Sequence, residues 1–312
     1  MDQILQTYQV RKSNKQKSDF IEYLKERLAG KGYDPDREIT VDSKGSGLFL
    51  SRNILVGNPQ QAEVIFTAHY DTCAVLPFPN MMAPTNPVLF ILIQLLLVVI
   101  IFFLTGAVGF LVGLAFQSGV IAYFTFLGAL ILLMVQMMFG IRNKHTANDN
   151  TSGVVVLTQF LEALSPEHRE KVCVVYFDNE EKGLFGSSFF AKKYKKVMKN
   201  KLLINLDCVG DGKNVVSLAK SAAGKDPLYE LFVNVLKQTA EGSDVNFLHR
   251  RIKPMMFPSD QMHFRKGVGI CALKKSPLGM YCARIHTPFD TKCREENVNF
   301  LVKGMREFAE KM

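Results

Sequence analysis

The chain has 312 residues, of which 48% are hydrophobic and 21% are charged, and its formal net charge is +9. The positive charge favours attraction to anionic lipid, and a nucleic-acid partner is not expected because no recognised nucleic-acid-binding module accompanies the charge. The six cysteines lack paired zinc-knuckle spacing, which favours reduced thiols in a cytoplasmic protein over a disulfide framework. They are Cys73, Cys173, Cys208, Cys271, Cys282 and Cys293.

The first part of the chain begins a predicted alternation of helices and strands. Residues 1–17 are polar and lack an apolar core, so no signal peptide is expected. An amphipathic helix is predicted over 19–29, and strands are predicted over 47–56 and 63–68. Beyond the middle of the chain, the pattern predicts a helix at 154–164, a strand at 172–177, a helix at 187–198, a strand at 202–206, a helix at 226–239, a strand at 268–273 and a helix at 295–311.

Strands that alternate with helices predict an α/β fold with a mostly parallel mixed sheet flanked by helices on both faces. In such open sheets, functional residues lie beyond the carboxyl ends of the strands. We expect residues 1–71 and 142–312 to form one domain of about 240 residues, a reasonable size for a single α/β domain.

Residues 72–141 form an insertion without a charged side chain. After a proline-rich start at 77–87, which cannot be one continuous helix, apolar stretches cover 88–116 and 120–139. A membrane-spanning helix needs about 20 apolar residues, so the insertion predicts a two-helix transmembrane hairpin with a polar turn at 117–119. The alternative is a buried apolar lid or a dimer face in a soluble protein.

Two adjacent glutamates, Glu180 and Glu181, follow the predicted buried strand 172–177. Neighbouring carboxylates repel each other, and a half-buried position solvates them poorly. A divalent metal resolves this conflict, because one glutamate can ligate the ion while the other moves protons of a water bound to it. The alternative is a helix start, where acidic side chains suit the exposed backbone amides.

Further candidate groups follow predicted strand ends and turns: His69 with Asp71, Asp149, Asp207, and His286. The spacing of His69 and Asp71 suits an aspartate that accepts the second ring proton of the histidine. Singly, each group has an ordinary explanation, with Asp149 and Asp207 as turn residues and His286 as a loop histidine.

Taken together, two histidines and three acidic residues predict mixed nitrogen and oxygen ligation, which suits zinc, with cobalt or manganese as alternatives. Five protein ligands for two ions require one bridging carboxylate and leave open positions for water or hydroxide. Two ions about 3.5–4 Å apart can share this nucleophile and stabilise a tetrahedral oxyanion. The predicted chemistry is therefore hydrolysis of an amide bond.

Each candidate ligand lies within a short motif. Along the chain the motifs are His69-x-Asp71, Asn148-Asp149-Asn150-x-Ser152-Gly153, Asn179-Glu180-Glu181-x-Gly183-Leu184-x-Gly186-Ser187, Asn205-x-Asp207 and His286-Thr287-Pro288-x-Asp290-Thr291. In this order they resemble the motifs of the family-28 metallopeptidases, which are co-catalytic dizinc aminopeptidases whose relatives include the glutaminyl cyclases. The resemblance covers about residues 15–71 and 142–312 and implies a zinc exopeptidase-like fold.

The resemblance also implies a role for each motif residue. It implies that His69 and Asp207 bind one zinc, that Glu181 and His286 bind the other, and that Asp149 bridges the two. It further implies that Glu180 is the general base, that Asp71 orients His69, and that the peptide bond from Asp149 to Asn150 is cis.

One segment departs from the family pattern. Where the family has Ser-Asp-His, this chain has Ser259-Asp260-Gln261, with a histidine displaced to His263. The segment usually lies near the substrate, so the departure concerns specificity more than catalysis. His263 is either a donor to the transition state or a surface histidine.

The resemblance implies an exopeptidase for peptide substrates, most readily an aminopeptidase with a metal-bridging hydroxide and Glu180 as base, and the apolar insertion predicts that it is anchored in a membrane. A carboxypeptidase is an alternative, because Arg250, Arg251 or Arg284 could bind a terminal carboxylate. A single-zinc glutaminyl cyclase-like enzyme and a catalytically silent receptor or scaffold are the others. The preferred side chain and the oligomeric state do not follow from the motifs.

The predicted hairpin also indicates on which side of the membrane the domain lies. Because His69 precedes the insertion and Asp149 follows it, only an even number of membrane crossings lets both reach one site. Two crossings leave the domain on one face of the bilayer, and Arg142 and Lys144 beside the second helix predict that this face is cytoplasmic.

A lysine-rich stretch could rest on lipid headgroups or form a solvated helix face. It contains Lys192, Lys193, Lys195, Lys196, Lys199 and Lys201.

Overall fold

The structure is a computed structural model that describes residues 2–78, 80–251 and 256–312. Its helices are α1 Gln3–Thr7, α2 Asn14–Ala29, α3 Pro87–Ala115, α4 Gly119–Phe139, α5 Gly153–Ala163, α6 Phe185–Lys193, α7 Lys195–Met198, α8 Pro227–Ala240 and α9 Glu295–Lys311. Its strands are β1 Ile39–Lys44, β2 Ser51–Val56, β3 Val64–His69, β4 Met81–Met82, β5 Val172–Phe177, β6 Leu202–Leu206, β7 Asn214–Ala219, β8 Asn246–Arg251, β9 Gly267–Ser276 and β10 Gly279–Ala283.

The strands form one mixed sheet with a parallel centre. The main order is β1-β2-β5-β3-β6-β9-β10-β4, and β7 joins β9 to β8 away from this path. β5, β3, β6 and β9 are parallel to their neighbours in this series, whereas the β1–β2 and β9–β10 pairs are antiparallel hairpins. The predicted α/β class is confirmed, and the predicted parallel pairing holds for the centre of the sheet.

Alternate residues of the central strands face two hydrophobic cores. In β3, Val64 and Phe66 belong to the larger core, which α2, α5, α8 and α9 cover, and Ile65 belongs to the smaller core under α6 and α7. Because helices cover both faces, every residue of β3, β5 and β6 is buried. Polar groups that meet a ligand must therefore lie beyond the strand ends.

Two helices differ from their predicted bounds. α2 begins at Asn14 rather than at residue 19, because Ser13 caps the helix and forms a capping box with Gln16. The helix predicted over 187–198 is divided into α6 and α7 at Tyr194.

The strands away from the parallel centre of the sheet were predicted less well than the central ones. Only part of the strand predicted over 47–56 is a strand, because residues 47–49 form a short 3₁₀ helix and β2 begins at Ser51. The patterns did not predict β1, β4, β7, β8 or β10. β1 and β8 mix polar and apolar residues, so their periodicity is weak, and β4 has only two residues.

The insertion folds as two long helices, α3 and α4, that pack against each other. A β-carbon at Gly113 would lie 2.4 Å from the Cβ of Ala122, and one at Gly109 would lie 2.8 Å from the backbone oxygen of Ala122. Small residues at these positions let the two helices approach closely. Most other side chains point away from the protein, with Phe103 72% exposed, and both helices are long and apolar enough to cross a membrane.

Both ends of the hairpin are fastened to the domain. β4, which leads into α3, pairs with β10, and Asn86 caps α3 while its amide donates to the carbonyl of Leu278. Near the end of α4, the amide of Gln136 donates to the carbonyl of Val75 at 3.4 Å. The turn at 117–118 therefore lies at the end of the hairpin that is distant from the domain.

Candidate metal centre

The candidate ligands come together because parallel strands end at the same edge of the sheet. His69 is the last residue of β3 and is in register with Phe177, the last residue of β5. Glu180 and Glu181 follow β5, and Asp207 directly follows β6. Since the three strands are neighbours in the order β5-β3-β6, these side chains converge on one place.

Two loops bring the remaining groups to this edge. Asp149 lies in the irregular turn 147–152 before α5, and His286 lies in the loop after β10. The sequence-predicted ligands and base line one cavity of about 370 Å³. These lining residues are His69, Asp149, Glu180, Glu181, Asp207 and His286.

Asp149 lies between the two histidines. Its Oδ1 is 3.3 Å from Nε2 of His69, and its Oδ2 is 3.0 Å from Nε2 of His286. Nε2 of His69 is also 3.6 Å from Oδ1 of Asp207, and Nε2 of His286 is 3.1 Å from Oε2 of Glu181. The side chains thus form two donor clusters that share Asp149.

Asp71 connects the end of β3 to the loop after β5. Its backbone oxygen is 3.1 Å from Nδ1 of His69, and its carboxylate oxygen Oδ1 is 3.7 Å from the same nitrogen. The carboxylate also accepts the backbone N–H groups of Glu180 at 3.0 Å and Glu181 at 3.3 Å. Asp71 therefore contacts both the histidine and the two-glutamate loop.

Close packing below the cavity explains the glycines of two motifs. A β-carbon at Gly186 would lie 2.3 Å from the backbone oxygen of Asp178, and one at Gly153 would lie 2.7 Å from the backbone oxygen of Leu206. Gly183 has a φ of 103°, a conformation that glycine adopts at little cost. A larger residue at either of the first two positions would displace a loop that carries a candidate ligand.

A second aspartate fixes the turn that carries Asp149. The carboxylate of Asp290 accepts the backbone N–H groups of Asn148 at 2.8 Å and Asp149 at 2.9 Å. Burial, together with the charge of Asp149, raises the pKa of Asp290 to about 8. The peptide bond between Asp149 and Asn150 is cis, as the resemblance predicted.

Burial and charge shift the pKa values of the protein groups in the cavity. Burial raises the pKa of Glu180 well above its usual value and also raises that of Glu181. Burial acts to lower the pKa values of His69 and His286, but the charges of Glu180 and Glu181 and hydrogen bonds to carboxylates outweigh it, so both lie well above the usual value. A cation that binds the histidines must therefore displace their protons.

The donors and their unpaired atoms fit a metal ion. Oε1 of Glu181 and Oδ1 of Asp207 are buried and have no hydrogen-bond partner among the residues that the structure describes. An unpaired buried carboxylate oxygen is costly, and a bound cation would remove that cost. Imidazole nitrogens and carboxylate oxygens are donors that suit zinc and related divalent ions.

Two further titratable residues near the candidate ligands, Asp260 and Cys73, were not predicted to be functional residues. Asp260 is fully buried, and burial together with the charges of Asp71 and Asp207 outweighs the opposing charge of His69 and raises its pKa to about 7. The Sγ of Cys73 lies near ligand atoms of Glu181 and His286, but burial raises the pKa of this thiol well above its usual value. The sequence gave no signal for the position of Cys73, whereas Asp260 belongs to the segment that the resemblance places near the substrate.

Other candidate residues lie elsewhere. His263 is exposed and is not among the residues that line the cavity. Arg250 and Arg251 lie on the exposed strand β8, and the guanidinium of Arg284 donates to Asp211 at 2.5 Å.

The first hairpin helix forms part of the cavity wall. Phe90 and Gln94 of α3 line the cavity together with Met81 and Met82 of β4 and Ile285. The insertion therefore reaches the candidate site directly, which its apolar composition did not predict.

A mixed α/β sheet, with imidazole and carboxylate groups clustered beyond the ends of its central strands, defines a zinc peptidase-like fold. The chain belongs to Peptidase family M28, whose family profile matches residues 135–299, more than half of the chain. The matched residues include Asp149, both glutamates, Asp207 and His286, whereas His69 and Asp71 precede them. The protein is thus a peptidase-type hydrolase.

Solved structures share this fold at low sequence identity. Glutaminyl cyclase of Porphyromonas gingivalis is 14% identical with a TM-score of 0.58, and the match covers 99% of this chain and 96% of that one. The LapA aminopeptidase of Legionella pneumophila is 14% identical with a TM-score of 0.52, and the match covers 98% of this chain and 68% of that one. No curated protein sequence matches the chain.

Proposed function

We propose that the protein is a membrane-anchored dizinc exopeptidase, and specifically an aminopeptidase that removes amino-terminal residues from peptides. The arrangement of Asp149 between two imidazole-containing clusters is the main support for a site with two ions. One cluster is formed by His69 and Asp207, and the other by Glu181 and His286, with distances of 3.0 to 3.6 Å among the paired atoms. Zinc suits these donors, with cobalt or manganese as alternatives.

The chemistry needs both the ions and the protein groups. Two bound ions would polarise the scissile carbonyl and acidify a water. Glu180 takes a proton from the water and delivers it to the leaving nitrogen. Burial raises the pKa of Glu180 above its usual value, which favours this carboxylate as a proton acceptor. Asp71 positions Glu180 by accepting its backbone N–H.

The charge of the cavity wall favours an aminopeptidase over a carboxypeptidase. A carboxypeptidase needs a cation for the terminal carboxylate of its substrate. Neither lysine nor arginine occurs among the described residues that line the cavity. Arg284, the candidate nearest in sequence to His286, is already paired with Asp211.

The proposed anchor is the hairpin of residues 72–141, with the domain formed by 1–71 and 142–312 on the cytoplasmic face. The outward-facing apolar side chains of both helices support burial in lipid. Leu48 is 68% exposed, and the ring of its neighbour Phe49 lies 6.0 Å from that of Phe139 at the end of α4. These side chains extend the apolar surface onto the domain at the level where the hairpin begins.

The proposal is tested with the full chain in phospholipid nanodiscs by combining metal analysis with a peptide panel. The panel contains peptides with free ends, with a blocked amino terminus, with a blocked carboxyl terminus, and with amino-terminal glutamine. We expect two zinc ions per chain and cleavage that requires a free amino terminus but not a free carboxyl terminus.

Each other outcome contradicts part of the proposal. One ion per chain with cyclisation of the glutamine peptide would indicate a glutaminyl cyclase. Cleavage that requires a free carboxyl terminus would indicate a carboxypeptidase. Stable metal binding without turnover of any peptide would indicate a silent scaffold.

A further inference from the structure

The two hairpin helices differ in length at the end near the domain. α3 has 29 residues and α4 has 21. Gly113 lies against Ala122 and Gly109 against Phe126, so the antiparallel register brings the end of α4 level with about residue 96 of α3. The first two turns of α3, residues 87–94, therefore extend beyond α4 toward the domain.

This extension is the part of α3 that reaches the candidate active site. Phe90 and Gln94 line the same cavity as the two histidines and Glu180. About 20 residues suffice to cross the apolar layer of a membrane, so the extension lies at the boundary between lipid and water when the rest of α3 spans it. The cavity therefore opens at the membrane surface.

The side chain of Gln94 is unlike the other glutamine of the hairpin helices. The amide of Gln136 donates to the carbonyl of Val75 and accepts from the backbone of Ile141. Gln94 is exposed and makes no side-chain hydrogen bond to the residues that the structure describes. At the boundary between lipid and water a polar side chain can face water or a ligand, and Gln94 faces the catalytic cavity.

We propose that the extension of α3 is a substrate-binding wall and that the substrates are amphipathic peptides lying on the membrane surface. This inference rests on the proposed function. The amide of Gln94 hydrogen-bonds the peptide backbone, and Phe90 with Met81 and Met82 contacts an apolar residue beside the scissile bond. A cavity of about 370 Å³ is at the small end of ligand sites and holds the end of a peptide.

The first test measures KM and kcat of the full chain in nanodiscs for two substrates, Leu-Gly-Gly and an amphipathic peptide with amino-terminal leucine. We expect Gln94→Leu and Phe90→Ala to raise KM for the amphipathic peptide about fivefold to tenfold, as loss of one contact does, with kcat nearly unchanged. Phe103→Ala is the control, because Phe103 is on the same helix, is 72% exposed and lies outside the cavity.

The second test detects binding without turnover. The chain contains no tryptophan, so Phe90→Trp and Phe103→Trp each introduce a single fluorophore. We expect the amphipathic peptide to change the emission of Phe90→Trp but not that of Phe103→Trp, and brominated lipid to quench Phe103→Trp more strongly.

These results separate the two proposals. If the wild-type protein cleaves peptides but KM and the Phe90→Trp emission do not respond, the binding wall is wrong and the peptidase assignment stands. If no peptide is cleaved, the proposed function fails, and an unchanged Phe90→Trp emission would then overturn the binding wall as well.

Discussion

The α/β domain and the hairpin bury their residues in opposite ways. In the domain, the central strands are completely buried, and the candidate ligands lie at or beyond the strand ends. In the hairpin, α4 has no buried residue and α3 has Ile93, Thr105 and Gly109 buried. The domain therefore derives its order from its own core, whereas the hairpin leaves its apolar surface to be covered by something else, which we propose is lipid.

Polar side chains have different requirements in the two regions. In the domain, a half-buried carboxylate such as Glu180 needs a metal ion, a backbone amide or an opposite charge nearby. In the hairpin, Gln94 extends into the domain's cavity. The two regions thus meet at the cavity of the candidate metal centre. We expect substitutions in the domain and in the hairpin to have different effects on activity and stability.

The largest expected effect is loss of the proposed base. We expect Glu180→Gln to lower kcat by about 10²–10⁴-fold, because the amide cannot accept the proton, while zinc content stays at its wild-type value. Peptide hydrolysis and metal content per chain measure the two quantities. The surface variant Glu170→Gln serves as the control. Near-normal hydrolysis by Glu180→Gln would show that another group is the base.

The next effect concerns the stability of the domain. Lys17 is 1% exposed and pairs with the fully buried Asp178 and with Asn179 at 2.8 Å. We expect Lys17→Met to lower the free energy of unfolding by about 3–5 kcal/mol, because it leaves a buried carboxylate without its cation. Denaturant unfolding of the domain measures this change.

A matched exposed pair is the control for this prediction. Lys15 lies 2.9 Å from Asp19, with side chains 85% and 50% exposed, and we expect Lys15→Met to cost less than about 1 kcal/mol. Equal effects of the two substitutions would mean that burial does not govern the strength of these pairs.

The smallest effect tests the contact within the hairpin. We expect Gly113→Ala to destabilise the helix pair by about 1–3 kcal/mol, because its β-carbon would overlap Ala122. Gly106→Ala on the same helix is the control, since a β-carbon there meets no atom within 4 Å. Unfolding in mixed micelles with increasing dodecyl sulfate provides the measurement. Equal midpoints for the two variants would argue against close helix packing.

The centre of the fold could be predicted because its signals are local. β3, β5 and β6 are short apolar runs that end in polar motifs, and the helices after them carry clear periodicity. Asp149 and His286 were found from the motifs around them, whereas His69, Glu180, Glu181 and Asp207 were found because they lie at or just after the ends of these runs. Their convergence then follows from parallel pairing, a general property of such sheets.

The rest depends on contacts between distant residues. The start of α2 depends on a capping box at Ser13 and Gln16, which a purely apolar pattern does not show. Asp71 was predicted to orient His69, but its bonds to the amides of Glu180 and Glu181 exist only once β3 and β5 are adjacent. The approach of Phe90 to the cavity likewise depends on how β4 pairs with β10.

The hairpin lies between β3 and both of its partner strands in the sequence, and this position fixes the order in which the strands can pair during synthesis. β3 lies between β5 and β6, and both of these partners are translated after α3 and α4. The ribosome therefore releases the entire hairpin before either neighbour of β3 exists. β1 and β2 can pair as soon as they are synthesised, but β3, with His69 at its end, must wait for both of its partners until more than a hundred further residues have emerged.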